Sequence, residues 1–256
     1  MNAAFARRSA IIFFSTSIGL SSGCRDAQPT VSTMPEDSID NPTDTPRQVE
    51  RVGGDLAAQV VQSAEGYRFK DMLIDTPLPN GYPPPTPPGA LEIKRYPIAR
   101  RAEIRGGVNS DIGMYAAFWP LFQHIKKRDI AMTSPVEMRY APGTIANEGG
   151  TPRNWSMSFL YRDPSQGPEG TDNNITILDA APMVVLAIGS RGGYSWNRTE
   201  MLIDKLNAWL AAHPAWVVDG DPRAMHYNGP DRPDADKWLE VQLPIRRSEV
   251  RSGQQS

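Results

Sequence analysis

The sequence contains very few of the residues that carry metal and redox chemistry. Its 256 residues include one cysteine and three histidines. A single cysteine excludes an internal disulfide, a zinc or iron–sulfur site built from several thiolates, and covalent c-type haem attachment, which needs two thiols. The histidines His124, His213 and His226 are far apart in the chain. No two of them have the spacing of metal ligands, and we expect His213 and His226 to be structural or exposed.

An excess of one charge is also missing, as are the common catalytic motifs. The 27 Lys and Arg residues nearly balance the 29 Asp and Glu residues, giving a net charge of −2. This balance predicts no binding of nucleic acid or of an acidic membrane surface. No P-loop, GxGxxG, HExxH, GxSxG or CxxC motif occurs. The acidic residues form no obvious pair for general acid–base chemistry, so a binding protein is favoured over an enzyme.

The N-terminal 23 residues have the pattern of an export signal. Arg7 and Arg8 precede an apolar stretch at residues 9–23, which is too short to span a bilayer well and ends in small residues. Cys24 follows directly, so the segment resembles a bacterial lipobox, although Ser21 stands in place of the usual leucine. We expect a signal peptide over residues 1–23 and a lipid anchor on Cys24 in the cell envelope. Secretion with a free Cys24 and a retained membrane anchor are the alternatives.

Proline and polar residues indicate where the folded domain begins and ends. Residues 24–64 are polar and predict a flexible tether, with a weak helical pattern at Asp55–Ser63. Residues 65–88 predict a Pro-rich connector, extended or looped, because seven of the twelve residues 77–88 are proline. Residues 246–256 predict a polar tail. The folded domain is therefore expected over residues 89–245.

Inside that domain, a pattern of strand, turn, helix and two strands occurs twice. The first copy comprises strands at 91–96 and 98–104, an Arg105-Gly106-Gly107 turn, a helix at 111–125 capped by Ser110 and containing Pro120, and strands at 130–140 and 155–161. The second copy comprises a strand at 183–188, an Arg191-Gly192-Gly193 turn, a helix opened by Asn197 and Glu200 and stopped by Pro214, and strands at 224–227 and 238–243. The pattern predicts a duplicated α+β unit with two amphipathic helices on one antiparallel sheet or distorted barrel. Chance recurrence of common turn residues is the alternative.

A series of motifs in the same region resembles the SOUL haem-binding protein family. The segment Ile130-Ala131-Met132-Thr133-Ser134-Pro135-Val136 is similar to the hallmark motif of that family. Further segments resemble other family motifs in the same order: Leu91–Tyr96, Phe118–Ile125, Trp155–Phe159, Met225–Pro230 and Lys237–Val241. The resemblance covers residues 89–245 and implies an α+β fold, a distorted antiparallel β-barrel flanked by two α-helices and built from two similar halves.

The resemblance also implies non-catalytic binding of haem or a related tetrapyrrole in a hydrophobic cleft. The first helix and the segment 227–237 would line this cleft. The residues at the matching positions are Met114, Phe118, Leu121, Phe122 and Tyr227, with Arg232, Lys237 and the cluster 126–128 as cations for the propionates. Some members carry a proposed iron-ligating histidine in the opening strand, where this chain has Arg95. His124, which replaces a tyrosine of the helix motif, remains as a candidate iron ligand.

Two other functions are compatible with the sequence. Similar duplicated folds bind small effector molecules in transcription regulators, so the ligand could be a different amphipathic molecule. Alternatively, the protein acts through protein–protein contacts, and the cleft is filled by Trp119 or by the Pro-rich segment. The methionines in the predicted core segments, Met114 and Met157 among them, are expected to fill the core, or else to form a soft ligand-contacting surface.

Overall fold

The structure, a computed structural model, describes residues 47–141 and 150–249, all of which belong to one compact unit, Thr45–Ser256. The predictions for the signal peptide and Cys24 lie outside the described residues. The described strands are β1 (Val49–Gly54), β2 (Val61–Ser63), β3 (Gly66–Phe69), β4 (Met72–Ile74), β5 (Ala90–Tyr96), β6 (Ala99–Gly106), β7 (Val136–Tyr140), β8 (Trp155–Leu160), β9 (Gly170–Asp172), β10 (Ile175–Ala180), β11 (Met183–Arg191), β12 (Trp216–Val218), β13 (Arg223–His226) and β14 (Trp238–Arg247). The α-helices are α1 (Ser110–Lys127) and α2 (Trp196–Ala211).

One large antiparallel sheet organises the domain. Its strand order is β1-β5-β11-β14-β13-β7-β8-β6-β10-β9, and β12 pairs with the far end of β14. The outermost strands of this order, β1 and β9, are not paired with each other. The predicted α+β class with two helices on an antiparallel sheet is confirmed, and the distorted barrel is open. Strands β2, β3 and β4 form a separate small sheet.

The strand order confirms that the domain is built from two similar halves. The first half is β5, β6, α1, β7 and β8, and the second is β10, β11, α2, β13 and β14. The counterparts are β5 and β10, β6 and β11, β7 and β13, and β8 and β14. When each strand between β5 and β10 is replaced by its counterpart, the same strand order results, read from the opposite end. The first strand of each half pairs with the other half, because β5 pairs with β11 and β10 pairs with β6. Strand β10 is absent from the predicted second copy and completes it.

Side chains alternate between the two faces of this sheet, as the backbone pleat requires. On β14, Leu239, Val241 and Leu243 pack in the core that includes both helices. Glu240 and Gln242 lie between them and point to the opposite face. We call the side covered by α1 and α2 the helix face. We call the other side the ionic face, because its buried residues include Glu92, Lys94, Arg101, Glu103, Glu137, Arg223 and Glu240.

The ionic face is held together by ion pairs between strands, two of which span an intervening strand: Lys94 and Glu240 lie on either side of β11, and Arg101 and Glu137 on either side of β8. The ammonium of Lys94 lies 2.9 Å from the Glu240 carboxylate. Glu137 accepts hydrogen bonds from the guanidinium groups of Arg101 and Arg223, each at 2.9 Å. Charged side chains are almost never fully buried unless they are paired, and these pairs explain how the sheet tolerates them.

The Pro-rich segment is part of the domain and covers one side of the ionic face. Pro83, Pro85 and Pro87 are buried. The backbone N–H of Thr86 donates to Glu240 at 2.7 Å, and the Trp238 indole N–H donates to the Thr86 carbonyl at 2.7 Å. The segment is therefore packed against the sheet and is part of the folded domain, and the domain boundary predicted at residue 89 is too late.

Several local predictions near the N-terminus of the described chain are wrong. Val49–Gly54, inside the predicted tether, forms β1 and pairs with β5, and Val52 packs against the core. The helix expected at Asp55–Ser63 does not form: the Asp55 carboxylate accepts hydrogen bonds from the backbone of Ala57 and Ala58 in a turn, and β2 follows. An aspartate that bonds the backbone two residues on favours a turn over a helix.

Helix α1 begins one residue earlier than predicted, because Asn109 and not Ser110 is its N-cap. The Asn109 side chain accepts a hydrogen bond from the Asp111 N–H at 2.9 Å. The helix continues through Pro120 for 18 residues. Gly113 is required here, because a Cβ at this position would lie 2.2 Å from the indole of Trp155.

Helix α2 and the segment before β7 also differ from the prediction. The N-cap of α2 is Ser195, whose hydroxyl accepts from the Arg198 N–H, so the predicted cap at Asn197 is displaced by two residues. The predicted strand over 130–140 is confined to β7. Residues 130–135 form no strand, and the hydroxyls of Thr133 and Ser134 in this segment donate to the Leu160 and Tyr227 carbonyls. In the described residues no helix is long and apolar enough to cross a membrane.

Candidate functional site

A cleft opens on the helix face, between α1 and the middle of the sheet. We call it the α1 cleft. Its lining residues are Met114, Tyr115, Phe118, Val136, Met157, Tyr194, His226, Asn228, Pro230 and Lys237. The volume is about 100 Å³. Pockets that enclose a small-molecule ligand usually have volumes of about 300 to 1,000 Å³, so this cleft is shallow.

The wall formed by α1 is apolar and partly exposed. Phe118 packs edge-on against Phe159 of the core at 5.0 Å between ring centroids, and its ring lies parallel to that of Phe122 at 6.2 Å. Tyr115 and Trp119, four residues apart, are 64% and 61% exposed. Residues at this spacing lie on one side of a helix. An apolar surface therefore continues from the cleft onto the outside of α1.

The opposite wall is a stack of polar and aromatic groups. The imidazole of His226 lies on the ring of Tyr194, with 4.0 Å between centroids and 2° between planes. The ammonium of Lys237 lies 5.4 Å from the centroid of the Tyr194 ring and donates to Asp234 at 2.9 Å. The Tyr194 hydroxyl accepts from the Asn228 N–H at 2.8 Å and donates to the Asn228 carbonyl at 3.1 Å. These contacts hold the ring of Tyr194 in one orientation.

Strand alternation explains why His226 faces the cleft. Ala224 of β13 belongs to the helix-face core, and His226, two residues further, points to the same side. Tyr227 turns to the ionic face, where its hydroxyl donates to Glu240 at 3.0 Å. Burial and the nearby Lys237 ammonium lower the pKa of His226 to about 3. The imidazole is therefore neutral near pH 7.

The structure brings together only some of the predicted site residues. Met114, Phe118 and Lys237 line the α1 cleft, and Phe122 extends its aromatic wall through Phe118. The others lie elsewhere: Leu121 is fully buried in the core, Tyr227 is on the ionic face, and Arg232 forms an exposed ion pair with Asp75 at 2.6 Å.

His124 is buried away from the cleft, with both ring nitrogens in hydrogen bonds. Its Nδ1 lies 3.0 Å from the Asp172 carboxylate, which accepts from it, and the Tyr161 hydroxyl lies 2.9 Å from Nε2 and donates to it. Burial lowers the pKa of His124, although the Asp172 hydrogen bond opposes this shift. Ligation of iron by His124 would require breaking the bond to Tyr161 or the bond to Asp172.

The cleft residues missed by the sequence analysis are mainly Tyr194 and His226, whereas Met157, expected in the core or in a soft ligand-contacting surface, lines the cleft. His226 could have been placed on the helix face from the alternation of the short strand around Ala224. Tyr194 follows the Arg191-Gly192-Gly193 turn and carries no such signal. Within the described residues, no group of three or more His, Cys, Asp or Glu side chains could hold a metal ion.

A wider concavity of about 890 Å³ lies on the other side of the sheet. Its lining includes Arg95, Arg101, Arg139, Asp219 and Asp221. This concavity is larger than the α1 cleft. Most of the charged side chains that line it already form ion pairs within the protein. Its lining also includes apolar residues, Met183, Val184 and Trp216 among them, so this concavity mixes charged and apolar surface.

The fold defines a class of small α+β domains built from two similar halves. The family model described as SOUL heme-binding protein matches residues 84–244. The match covers more than half of the chain, so the chain belongs to the SOUL heme-binding protein family. None of the curated proteins is similar enough in sequence to match it.

Solved structures share the fold at low sequence identity. The crystal structure of the EcmrR C-terminal domain is 15% identical, covers 62% of this chain and 98% of its own, and has a TM-score of 0.50. EcmrR in a cryo-EM complex with DNA is also 15% identical, with coverage of 62% and 57% and a TM-score of 0.50. An uncharacterized conserved protein from Listeria innocua is 11% identical, with coverage of 63% and 94% and a TM-score of 0.47. At these identities the likeness to the two EcmrR structures concerns the fold alone.

Proposed function

We propose that this domain binds haem or a related tetrapyrrole reversibly and without catalysis, in the α1 cleft. The observation that carries the proposal is an apolar cleft, walled by Met114 and Phe118 and bordered by the ammonium of Lys237, in a chain of the SOUL heme-binding protein family. Flat macrocycles need apolar cover on their faces and cations for their propionates, and both occur here.

The residues of the cleft fit this ligand by their chemistry. Phe118, Val136 and Met157 supply apolar and soft contacts, and Lys237 is placed to pair with a carboxylate. A volume of about 100 Å³ admits only part of a macrocycle. The remainder would lie over Tyr115 and Trp119, whose exposed rings continue the surface. Haem supplies iron chemistry when bound, whereas these side chains bind and orient it.

The alternative that the protein is a lipoprotein acting through protein–protein contacts, with its cleft filled, receives less support. Trp119 is 61% exposed, and the Pro-rich segment packs on the ionic face, so neither fills the α1 cleft. The small volume favours a second candidate, a smaller amphipathic molecule in the same cleft. Both ligands would contact the same wall of α1.

Titration of the full chain with haemin tests the proposed function. We expect a saturable change in the Soret band at micromolar haemin, and no such change would refute the proposal. Phe118→Asp and Tyr115→Asp should each weaken binding at least tenfold, because they place a charge in the apolar wall. Tyr115 is exposed, so its variant separates loss of binding from loss of folding. Met201→Asp, which changes an exposed apolar residue of α2, is the control and should bind like wild type.

We also propose that the protein is held in the bacterial cell envelope through a lipid on Cys24. The support is the sequence of residues 1–24, with its basic start, short apolar stretch and small residues before the cysteine. Cys24→Ala should move the protein from the membrane fraction to the soluble extracytoplasmic fraction. Retention of the variant in the membrane would favour an uncleaved anchor.

A further inference from the structure

We propose that His226 is the axial ligand of the haem iron in the α1 cleft. The inference rests on the proposed function and makes it specific, because it assigns one residue of this chain to the iron. His226 lines the cleft beside Met114 and Phe118, in the middle of the helix face.

The ring nitrogens of His226 are available to a ligand in the cleft. In the described part of the chain, neither nitrogen makes a hydrogen bond, although the residue is only 7% exposed. The fully buried side-chain nitrogens and oxygens that lack a partner in the described residues do not include those of His226, so its ring nitrogens reach the open space of the cleft. A metal in the cleft could therefore approach them without breaking a hydrogen bond.

The protonation and orientation of the ring suit coordination. Imidazole binds a metal in its neutral form. The pKa of His226 is lowered to about 3 by burial and by Lys237, so no proton has to leave near pH 7. Parallel stacking on Tyr194 at 4.0 Å fixes the plane of the ring. Most metal-bound histidines are oriented by a hydrogen bond of the second nitrogen, which is missing here, so we expect weak and reversible ligation.

The other possible ligands are less suitable. Both nitrogens of His124 are hydrogen-bonded, and His213 is exposed at the end of α2, where its Nδ1 donates to the Trp209 carbonyl at 2.7 Å. The Tyr194 hydroxyl is engaged by Asn228, and burial raises the pKa of this phenol, which disfavours the phenolate. Among the described histidines, His226 is the one in the cleft.

The test compares haemin with iron-free protoporphyrin, using the full chain. If His226 binds iron, His226→Ala should change the Soret position and the electron paramagnetic resonance signal of the ferric complex and weaken haemin binding about tenfold or more. Its loss of affinity for protoporphyrin should be several-fold smaller than its loss for haemin, because both ligands lose the same contact with the ring in the cleft wall and only haemin loses a metal bond. Added imidazole should restore the wild-type spectrum of the variant. His124→Gln and His213→Gln serve as controls, and both variants should keep the wild-type spectrum of the haemin complex.

Three outcomes would overturn the inference. If wild type and His226→Ala give the same ferric spectrum, His226 is no ligand, while the proposed function stands. If His226→Ala weakens haemin and protoporphyrin equally, its role is packing. If neither tetrapyrrole binds the wild type, the proposed function fails as well. His226→Gln, which keeps a polar side chain of similar length, repeats the comparison should the alanine variant not fold.

Discussion

The two faces of the central sheet are buried to a similar degree by different means. On the helix face, apolar side chains pack under α1 and α2, and the sheet is covered by whole helices. On the ionic face, the small sheet and the Pro-rich segment supply part of the cover, and Glu137, Glu240, Lys94, Arg101 and Arg223 are buried as ion pairs. Apolar burial tolerates small changes in shape, whereas a buried charge depends on its partner. The helix face can therefore host a ligand cleft, and the ionic face is a fixed support behind it.

Removal of Glu137 should give the largest effect, because it leaves Arg101 and Arg223 buried without their shared carboxylate. We expect Glu137→Ala to lower the free energy of unfolding by about 3 to 5 kcal/mol in urea denaturation. Met138, the next residue, faces the helix face and is 1% exposed. Met138→Ala is the matched control, with an expected loss of about 2 to 5 kcal/mol that scales with the cavity it leaves.

A loss below about 1 kcal/mol for Glu137→Ala would contradict this view of the ionic face. It would mean that Glu103, 3.0 Å from Arg101, and Gln242, which accepts from Arg223 at 2.7 Å, satisfy the two guanidinium groups by themselves.

Acid should destabilise the two faces in different pH ranges. An unfolded histidine has a pKa near 6.5 and binds a proton that folded His226, with its pKa of about 3, does not. The stability that this group contributes is lost as the pH falls below about 6.5, by up to about 1.4 kcal/mol per pH unit. Although burial opposes it, Arg223 and Arg101 lower the pKa of Glu137, and Lys94 lowers that of Glu240. Their contribution is present above the unfolded pKa, near 4.3, and is lost as the pH falls below it.

Urea denaturation between pH 7.5 and pH 4.5 separates the two contributions. His226→Gln should reduce the loss of stability over this range, and His124, whose pKa is also lowered, should account for part of the remainder. An unchanged pH dependence in the variant would show that His226 takes up a proton in the folded state.

The smallest effect is expected at the edge of the ionic face. The side chain of Arg105 is 87% exposed, although it lies 3.3 Å from the buried Glu103 carboxylate. Exposed pairs contribute little, so Arg105→Ala should change the free energy of unfolding by at most about 0.5 kcal/mol. A loss several times larger would mean that the ionic face extends to the surface as one network.

Alternation and turn residues predicted most of the domain. The strands β5, β6, β8, β11 and β14 and both helices follow from periodicity and from the two Arg-Gly-Gly turns. The burial of charge on β6, β7 and β14 could not be predicted, because Glu137 and Arg223 are partners from different halves of the chain. Charged residues on alternate strand positions normally indicate a solvated face.

The candidate site was predicted on the α1 side and largely missed on the other. A helical period places Met114 and Phe118 on one apolar side, which the structure retains in the cleft wall. The same period includes Leu121, which lies deeper in the core. Tyr194 and His226 meet only because the turn before α2 lies against the end of β13, a contact between segments that no local pattern reports.

The exchange of first strands between the halves has a consequence for synthesis of the chain. The last described strand, β14, lies in the interior of the sheet between β11 and β13, so the hydrogen bonds that join the halves through it need residues 238–247. Until these leave the ribosome, β11 and β13 present open edges, which are templates for pairing with other chains. Because β5 also waits for β11, with Leu91 opposite Ile188, folding depends on contacts distant in sequence and should be slow and all-or-none. A chaperone that holds the growing chain until β14 is available would therefore protect these edges.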